Sequence, residues 1–124
     1  MLSNMTTEPM RMTRPISWLK AALKDFEAFP KDAQDEALAA LTVAAEGAKA
    51  DVAKPLKGFG SGVMEIALKH RGDAFRVVYA LQIGADLWVV HAFQKKSTRG
   101  IQTPKAELYL VQLRLKRLRE MLAN

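Results

Sequence analysis

Cationic side chains on predicted β-strands are the residues of this sequence best suited to chemistry, and Arg76 is the foremost of them. Its strand alternates, and every second residue is large and apolar: Phe75, Val77 and Tyr79. That face should pack on helices, which sends Arg76 to the opposite face among small neighbours. A guanidinium held there can bind a phosphate through its fork of N–H donors. The alternative is a surface ion pair with Glu65 on the neighbouring strand, which would contribute little to stability.

A second cationic site follows at the end of the next strand. Strict alternation divides this segment into two sets, with Ala92, Gln94 and Lys96 on one face and His91, Phe93 and Lys95 on the other. The small residue in the first set leaves room for a ligand, so we predict that Lys96 shares a groove with Arg76. Lys95 is the second choice, because strand ends twist.

Two further residues of this segment, His91 and Gln94, are auxiliary candidates. His91 has the same parity as the apolar residues of its strand. This favours a buried, hydrogen-bonded histidine over a catalytic one.

Several other chemistries lack the residues they need. The chain has no Cys, which excludes disulfides, thiolate metal sites and a cysteine nucleophile. His70 and His91 are 21 residues apart with no carboxylate cluster to join them, so we predict neither a metal nor a cofactor. The segment 57–62 contains Gly-x-Gly, but a predicted strand follows it. Without a helix N-terminus, the phosphate cradle of such loops is missing.

Two helices and a loop should precede the strands. Apolar residues at helical spacing predict a first helix from Leu19 to Phe26, and Phe29-Pro30 ends it. A second helix is predicted over about 31–46, with Leu38, Leu41 and Ala45 as its apolar stripe and Gly47 as its stop. The segment 15–18 fits either a short strand or a helix lead-in, and 48–62 is predicted to be a loop.

Three strands and a last helix complete the predicted fold. Segments 64–69 and 74–81 alternate in polarity, 87–94 is almost entirely apolar, and short turns join them, which predicts an antiparallel meander. Thr103-Pro104 should open the helix, with Thr103 as its N-cap. Its stripe at 3-4-3-4 spacing should pack on the sheet. We assign its basic residues, which are Arg114, Lys116, Arg117 and Arg119, to the helix dipole and solvent rather than to phosphates.

Length and charge set the organisation. The 124 residues predict one domain over 14–124 behind a flexible tail at 1–13. Residues 1–53 carry six basic and eight acidic side chains, and residues 54–124 carry thirteen and five, so the net charges are −2 and +8. Such asymmetry indicates either a polyanion partner or simply a solvated surface.

No apolar run of ~20 residues or secretory signal is evident, so a cytoplasmic protein without a membrane partner is expected.

Five segments taken in order resemble the RelE/HigB toxin superfamily, and within it the phage-derived HigB-type branch. They are Lys54-Pro55-Leu56-Lys57-Gly58, Glu65-Ile66, Phe75-Arg76-Val77-Val78-Tyr79, His91-Ala92-Phe93-Gln94-Lys95-Lys96 and Thr103-Pro104. The resemblance covers about residues 15–120. It implies a RelE-like α+β fold in which an N-terminal helical hairpin packs on a small antiparallel sheet, with a C-terminal helix.

The resemblance also implies an activity, that of a type II toxin which cuts mRNA on the ribosome without metal or cofactor. By position, Arg76 would stabilise the phosphate and Lys96, with Lys95, would assist the leaving oxygen. Further candidate phosphate or RNA contacts are Lys57, Lys69, Arg71 and Arg99. Members of the branch often carry Arg two residues after the strand glutamate. This chain has Ala67 there, and the general base is unassigned.

The partners that the resemblance implies are a helix-turn-helix, HigA-like antitoxin and mRNA on the ribosome, with operator DNA reached only through the antitoxin. An alternative function remains open. The chain would then be a non-catalytic binding module of the same fold, either a ParE-like poison of DNA gyrase or a decayed toxin that only binds its antitoxin. The missing cation at Ala67 favours this alternative, whereas Lys95-Lys96 favours the nuclease.

Overall fold

The computed structural model describes residues 13–95 and 102–123, which form three helices and a five-stranded mixed sheet. The elements follow one another as β1 (Ile16–Trp18), α1 (Lys20–Glu27), α2 (Lys31–Ala45), β2 (Ala53–Pro55), β3 (Val63–His70), β4 (Asp73–Ala80), β5 (Leu87–Lys95) and α3 (Lys105–Leu122). The predicted α+β class is confirmed, with its two N-terminal helices and its C-terminal helix. The tail predicted for 1–13 lies, apart from Thr13, outside the described residues.

The sheet has the order β1-β5-β4-β3-β2. Its antiparallel centre β3-β4-β5 is the predicted meander. Two short edge strands extend it, β1 parallel to β5 and β2 antiparallel to β3. Within segment 15–18, Ile16–Trp18 is therefore a strand, and the loop predicted over 48–62 is wrong at Ala53–Pro55. The strand was missed because three residues that end in proline are too few to show an alternating pattern. It can form because proline is tolerated in a strand at the edge of a sheet.

Helix α2 ends where Gly47 predicts but packs differently from the prediction. Gly47 has φ +96° and its N–H bonds the Ala44 carbonyl, while the Ala48 N–H bonds the Val43 carbonyl. This is a Schellman cap. The buried stripe of the helix consists of five alanines and one leucine, which are Ala33, Ala37, Ala40, Leu41, Ala44 and Ala45. Leu38 is 40% exposed, so its place in the predicted stripe is wrong. Alanines let the helix lie close to the sheet.

Both faces of the sheet carry a hydrophobic core. On one face, Phe75, Val77 and Tyr79 pack with α1 and α2, as predicted. On the other, Val78 and Ala80 pack with the α3 stripe of Val111, Leu115 and Leu118. α3 therefore lies on the face that carries Arg76. Its N-cap is Pro104, without a side-chain cap bond, so the N-cap predicted at Thr103 is wrong.

A β-bulge in β5 changes which of its residues face Arg76. The pairing shifts between Val78, which lies opposite His91, and Tyr79, which lies opposite Val89, leaving Val90 as an extra residue. Beyond the bulge, Arg76 is opposite Phe93. Directly paired residues share a face. The prediction that Ala92 and Gln94 lie on the Arg76 face is therefore wrong, because strict alternation does not hold across a bulge.

Candidate functional site

A groove lies on the Arg76 face of the sheet, beside the N-terminal end of α3. It encloses about 270 Å³. Strands β2, β3 and β4 supply its lining, which consists of Lys54, Glu65, Ala67, Leu68, Lys69, Ala74 and Arg76. We call these residues the basic groove. They include three cations and one carboxylate, so the lining is positively charged.

Glu65 is held at both of its carboxylate oxygens. Arg76 Nη1 donates to Glu65 Oε1 over 3.1 Å, and Thr103 Oγ1 donates to Glu65 Oε2 over 2.7 Å. The ion pair considered as the alternative for Arg76 is therefore present, but it is not a surface pair. The two side chains are only 8% and 13% exposed. Thr103 thus ties the segment before α3 to the groove instead of capping the helix.

The lysines of the predicted catalytic set fall differently from the prediction. Lys95 lies opposite Ala74, on the same face as Arg76, and is 5% exposed. Gln94 lies opposite Phe75 on the other face and is exposed. Lys96 and Arg99 lie outside the described residues, so their contribution stays a prediction. Among the described residues, Lys95 is the β5 cation on the Arg76 face.

Of the other predicted phosphate contacts, Lys69 lines the groove, whereas Lys57 and Arg71 do not line it. Lys57 is an exposed residue of the loop after β2. Arg71 is exposed in the β3–β4 turn and has φ +53°.

Lys54 and Glu65 line the groove although neither was predicted as a site residue. Lys54 lies opposite Glu65 in the β2–β3 pair. The signal for Lys54 was its pairing with Glu65, which becomes readable only once β2 is recognised as a strand. The signal for Glu65 was its possible ion pair with Arg76.

His91 is a buried member of a hydrogen-bonded cluster and does not line the basic groove. Its side chain is 2% exposed. Arg114 Nη1 donates to His91 Nδ1 over 2.6 Å and to the Val90 carbonyl over 3.2 Å. Because an arginine can only donate, Nδ1 is the acceptor, and the Nε2–H donates to Glu107 Oε1 over 2.6 Å.

This environment decides the charge of His91. Burial lowers the pKa of His91 from 6.5, the neighbouring Arg114 charge lowers it further, and the Glu107 hydrogen bond opposes the shift. The imidazole is therefore neutral near pH 7, and the interpretation of His91 as a satisfied, buried residue agrees with the geometry. Arg114, assigned above to the dipole and solvent, instead bonds β5.

In residues 13–95 and 102–123, no three His, Asp or Glu side chains lie together in a group that could hold a metal ion. No helix in these ranges combines the length and apolarity needed to cross a membrane.

Comparison with known proteins gives one family. The model of the family described as phage derived protein Gp49-like (DUF891) matches residues 24–116. The matched span runs from α1 into α3, so it includes every lining residue of the basic groove. No curated protein matches the sequence.

Proposed function

The chain belongs to the Gp49-like family of phage-derived proteins, a family associated with toxin–antitoxin toxins, and we propose from this that it is a RelE/HigB-type toxin that cuts mRNA on the ribosome. The observation that carries the proposal is the basic groove, in which lysines and Arg76 surround a single carboxylate among the described residues. Cations at that density suit a phosphodiester, and a lone carboxylate suits proton transfer.

The proposed reaction uses the RNA as its own nucleophile. The 2′-hydroxyl loses its proton and its oxygen forms a bond to the adjacent phosphorus. The bond from phosphorus to the 5′-oxygen breaks, and the leaving oxygen takes a proton. The products are a 2′,3′-cyclic phosphate and a 5′-hydroxyl. The protein must therefore accept one proton, donate one, and stabilise the charge on the phosphorane.

The roles are assigned to residues that line the groove and to neighbouring residues outside its lining. The RNA phosphate competes with Glu65 Oε1 for the Arg76 guanidinium and displaces it, because a guanidinium binds both carboxylates and phosphates well. The oxygen released in this way accepts the 2′-hydroxyl proton, while Thr103 keeps hold of Oε2. Lys69 and Lys54 bind flanking phosphates. Lys95, or Lys96 beyond it, supplies the proton to the leaving oxygen.

The proposed partner in the resting cell is a HigA-like antitoxin with a helix-turn-helix domain. The net charge of +8 in residues 54–124 supports an acidic antitoxin segment over the groove. Operator DNA would be reached only through that protein. Co-expression with the product of the neighbouring gene should give a stable complex, and two proteins that separate freely at moderate salt would contradict this.

The activity is tested by brief induction followed by mapping of mRNA 5′ ends. New ends within translated codons are expected for the wild-type chain. Glu65→Gln, which keeps the size of the side chain but removes the proton acceptor, should reduce them by ~100-fold or more. Lys31→Ala is a matched control, since Lys31 is exposed on α2 and pairs with Asp35. Growth arrest without new mRNA ends would overturn the nuclease.

One observation favours the binding module as a second candidate function. Arg76 is engaged by Glu65, and Ala67 lines the groove at the position where the HigB-type branch that the sequence resembles often has arginine. A gyrase poison would produce DNA breaks on induction and unchanged mRNA ends. A decayed toxin would produce neither, yet would still bind the antitoxin.

A further inference from the structure

A second cavity lies at the β5 side of the sheet, away from the basic groove. It encloses about 350 Å³ between α1, the second half of β5 and α3. The cavity forms because β1 pairs with β5 as far as Val89, after which the chain turns into α1. Side chains from both faces of the sheet therefore meet around the edge of β5. We call this cavity the aromatic cleft, and the lining residues that matter below are Asp25, Phe29, Phe75, His91, Phe93 and Glu107.

Three phenylalanine rings and one imidazole form the apolar part of the cleft. Phe29 and Phe75 pack with their ring centroids 4.9 Å apart, and His91 stacks on Phe93 at 5.2 Å with 27° between the ring planes. Each of these four residues is at most 8% exposed, so packing fixes the rings in place. The face of such a ring attracts a cation, and a rigid apolar surface accepts an alkyl chain.

The charge of the cleft is opposite to that of the protein as a whole. Among the described residues of its lining, the side chains charged near pH 7 are Asp25 and Glu107, since His91 is neutral there. The chain as a whole has a net charge of +6. Arg114 lies behind the imidazole, where it donates to Nδ1, and does not line the cleft. The cleft therefore favours a cation, in contrast to the basic groove.

The two carboxylates come from opposite walls. Asp25 lies on α1, which packs on one face of the sheet, and Glu107 lies on α3, which packs on the other. Asp25 is exposed and forms no ion pair within the described residues. Glu107 accepts one hydrogen bond, from His91, whereas a carboxylate can accept about four. Two such acceptors with aromatic rings between them match a ligand that carries two ammonium groups on an alkyl chain.

We propose that the aromatic cleft binds an aliphatic diamine or polyamine. One ammonium group pairs with Asp25 and another with Glu107, and the alkyl chain between them packs on Phe29 and Phe93. The lysine side chain of a partner protein has a similar alkyl chain but a single ammonium group, so it would engage one wall alone. The proposal is independent of the proposed nuclease, because it concerns residues outside the basic groove.

The test is calorimetric titration of the full chain with spermidine at constant ionic strength, because charge interactions are screened by salt. Spermidine should bind saturably at one site. 1-Aminobutane, which has one ammonium group, should bind about tenfold more weakly, as expected for the loss of one charge-assisted hydrogen bond. Capped lysine should behave like 1-aminobutane.

Two isosteric variants assign the binding to the cleft. Glu107→Gln should weaken spermidine binding by about tenfold. The glutamine oxygen still accepts from His91 Nε2–H, so α3 stays bonded to β5. Asp25→Asn should weaken binding by about threefold, because an exposed carboxylate contributes less. Asp25→Asn alone decides the outcome if Glu107→Gln does not fold, since Asp25 is on the surface.

Glu27→Gln is the matched control, because Glu27 lies on the same helix as Asp25, carries the same charge and does not line the cleft. It should keep the wild-type affinity for spermidine. Equal losses in the control and in the cleft variants would mean that the amine responds to net charge alone, and the proposal would be wrong. It would also be wrong if capped lysine bound as tightly as spermidine, since the cleft would then be a pocket for a protein side chain.

Discussion

At the scale of single residues, Arg76 differs from the prediction in its burial. The sequence suggests a surface arginine, whereas the structure buries the side chain. Its chemical type and its face are as predicted, but its carboxylate partner is largely removed from solvent with it. A surface pair contributes little to stability, whereas breaking a buried pair leaves an uncompensated charge. The sequence interpretation implies a cost of at most about 1 kcal/mol for Arg76→Ala. The structure implies a larger one.

We predict that Arg76→Ala lowers the free energy of unfolding by about 3 kcal/mol, as breaking a buried pair does. Glu65→Ala should cost a similar amount. The double variant should cost less than the sum, since it removes both charges. Urea denaturation of the four proteins measures this cycle. Additive losses would mean that the pair is not coupled in solution.

His91 gives a pH dependence to folding. Its folded-state pKa is lowered, so below about pH 6.5 the unfolded chain binds a proton that the folded chain does not. Stability is therefore fully present above the unfolded-state pKa and falls as the pH drops below it. Asp25, which faces the ring from α1, and Glu107 both oppose this shift, whereas Arg114 adds to it.

We predict that urea midpoints decrease from about pH 7.5 to about pH 5.5 for the wild-type chain. His91→Gln should flatten this slope, because a glutamine amide can donate to Glu107 and accept from Arg114 without titrating. His70→Gln is the control, because His70 lies at the far end of β3. It should keep the wild-type slope. An unchanged slope in His91→Gln would assign the pH dependence to other groups.

At the scale of elements, turns and bulges set which residues meet. The β3–β4 connection is a two-residue turn, Arg71-Gly72, flanked by the His70–Asp73 pair. Both central residues have positive φ, +53° and +86°, as in a type I′ turn. Gly72 adopts this conformation at no steric cost, but Arg71 does not. The turn thus carries backbone strain at a single exposed position.

We predict that Arg71→Asn stabilises the fold by several tenths of a kcal/mol, up to about 1, because asparagine tolerates the left-handed region. Arg71→Ala is the matched control, since it removes the same charge and leaves the strain. Thermal denaturation should rank Arg71→Asn above both the wild type and Arg71→Ala. If both variants melt together, the difference from wild type reflects charge and not the turn.

At the scale of the whole molecule, the two faces of the sheet have different partners. The hairpin of α1 and α2 covers one face, while α3 covers part of the other and leaves the basic groove beside its first turn. The acidic excess belongs to residues 1–53 and the basic excess to residues 54–124. Helices α1 and α2, which belong to the acidic part of the chain, therefore lie on one face of the sheet, and the basic groove and α3 lie on the other, which directs a polyanion toward the groove.

We predict that RNA binding weakens steeply with salt. With about four to six phosphates contacted, the log–log slope should be about −3 to −4, using the single-strand coefficient. Fluorescence titration at several salt concentrations measures it. Lys69→Ala should reduce the magnitude of the slope by about 0.7, while Lys31→Ala on α2 should leave it unchanged. A flat salt response of the wild type would contradict the electrostatic mode of binding.

The sequence by itself determined the helices, the three central strands and the class of fold. Periodicity is a local property, so α1, α2, α3 and the central strands follow from the spacing of apolar residues. Gly47 likewise predicts its cap, since the left-handed residue after a helix is usually glycine. The cationic character of the site also follows from the sequence, because Arg76 and Lys69 lie at strand positions whatever the packing.

Only the tertiary structure decided which groups meet. The extra residue Val90 moves His91 and Lys95 to the face opposite to the one that strict alternation predicts, and no local pattern in the sequence indicates a bulge. The same holds for Thr103, whose hydroxyl has a better partner in Glu65, 38 residues away, than in its own helix. Burial converts the Arg76–Glu65 pair from a weak surface contact into a coupled one, because the strength of a charge interaction depends on its distance from water, and that distance is set by the whole fold.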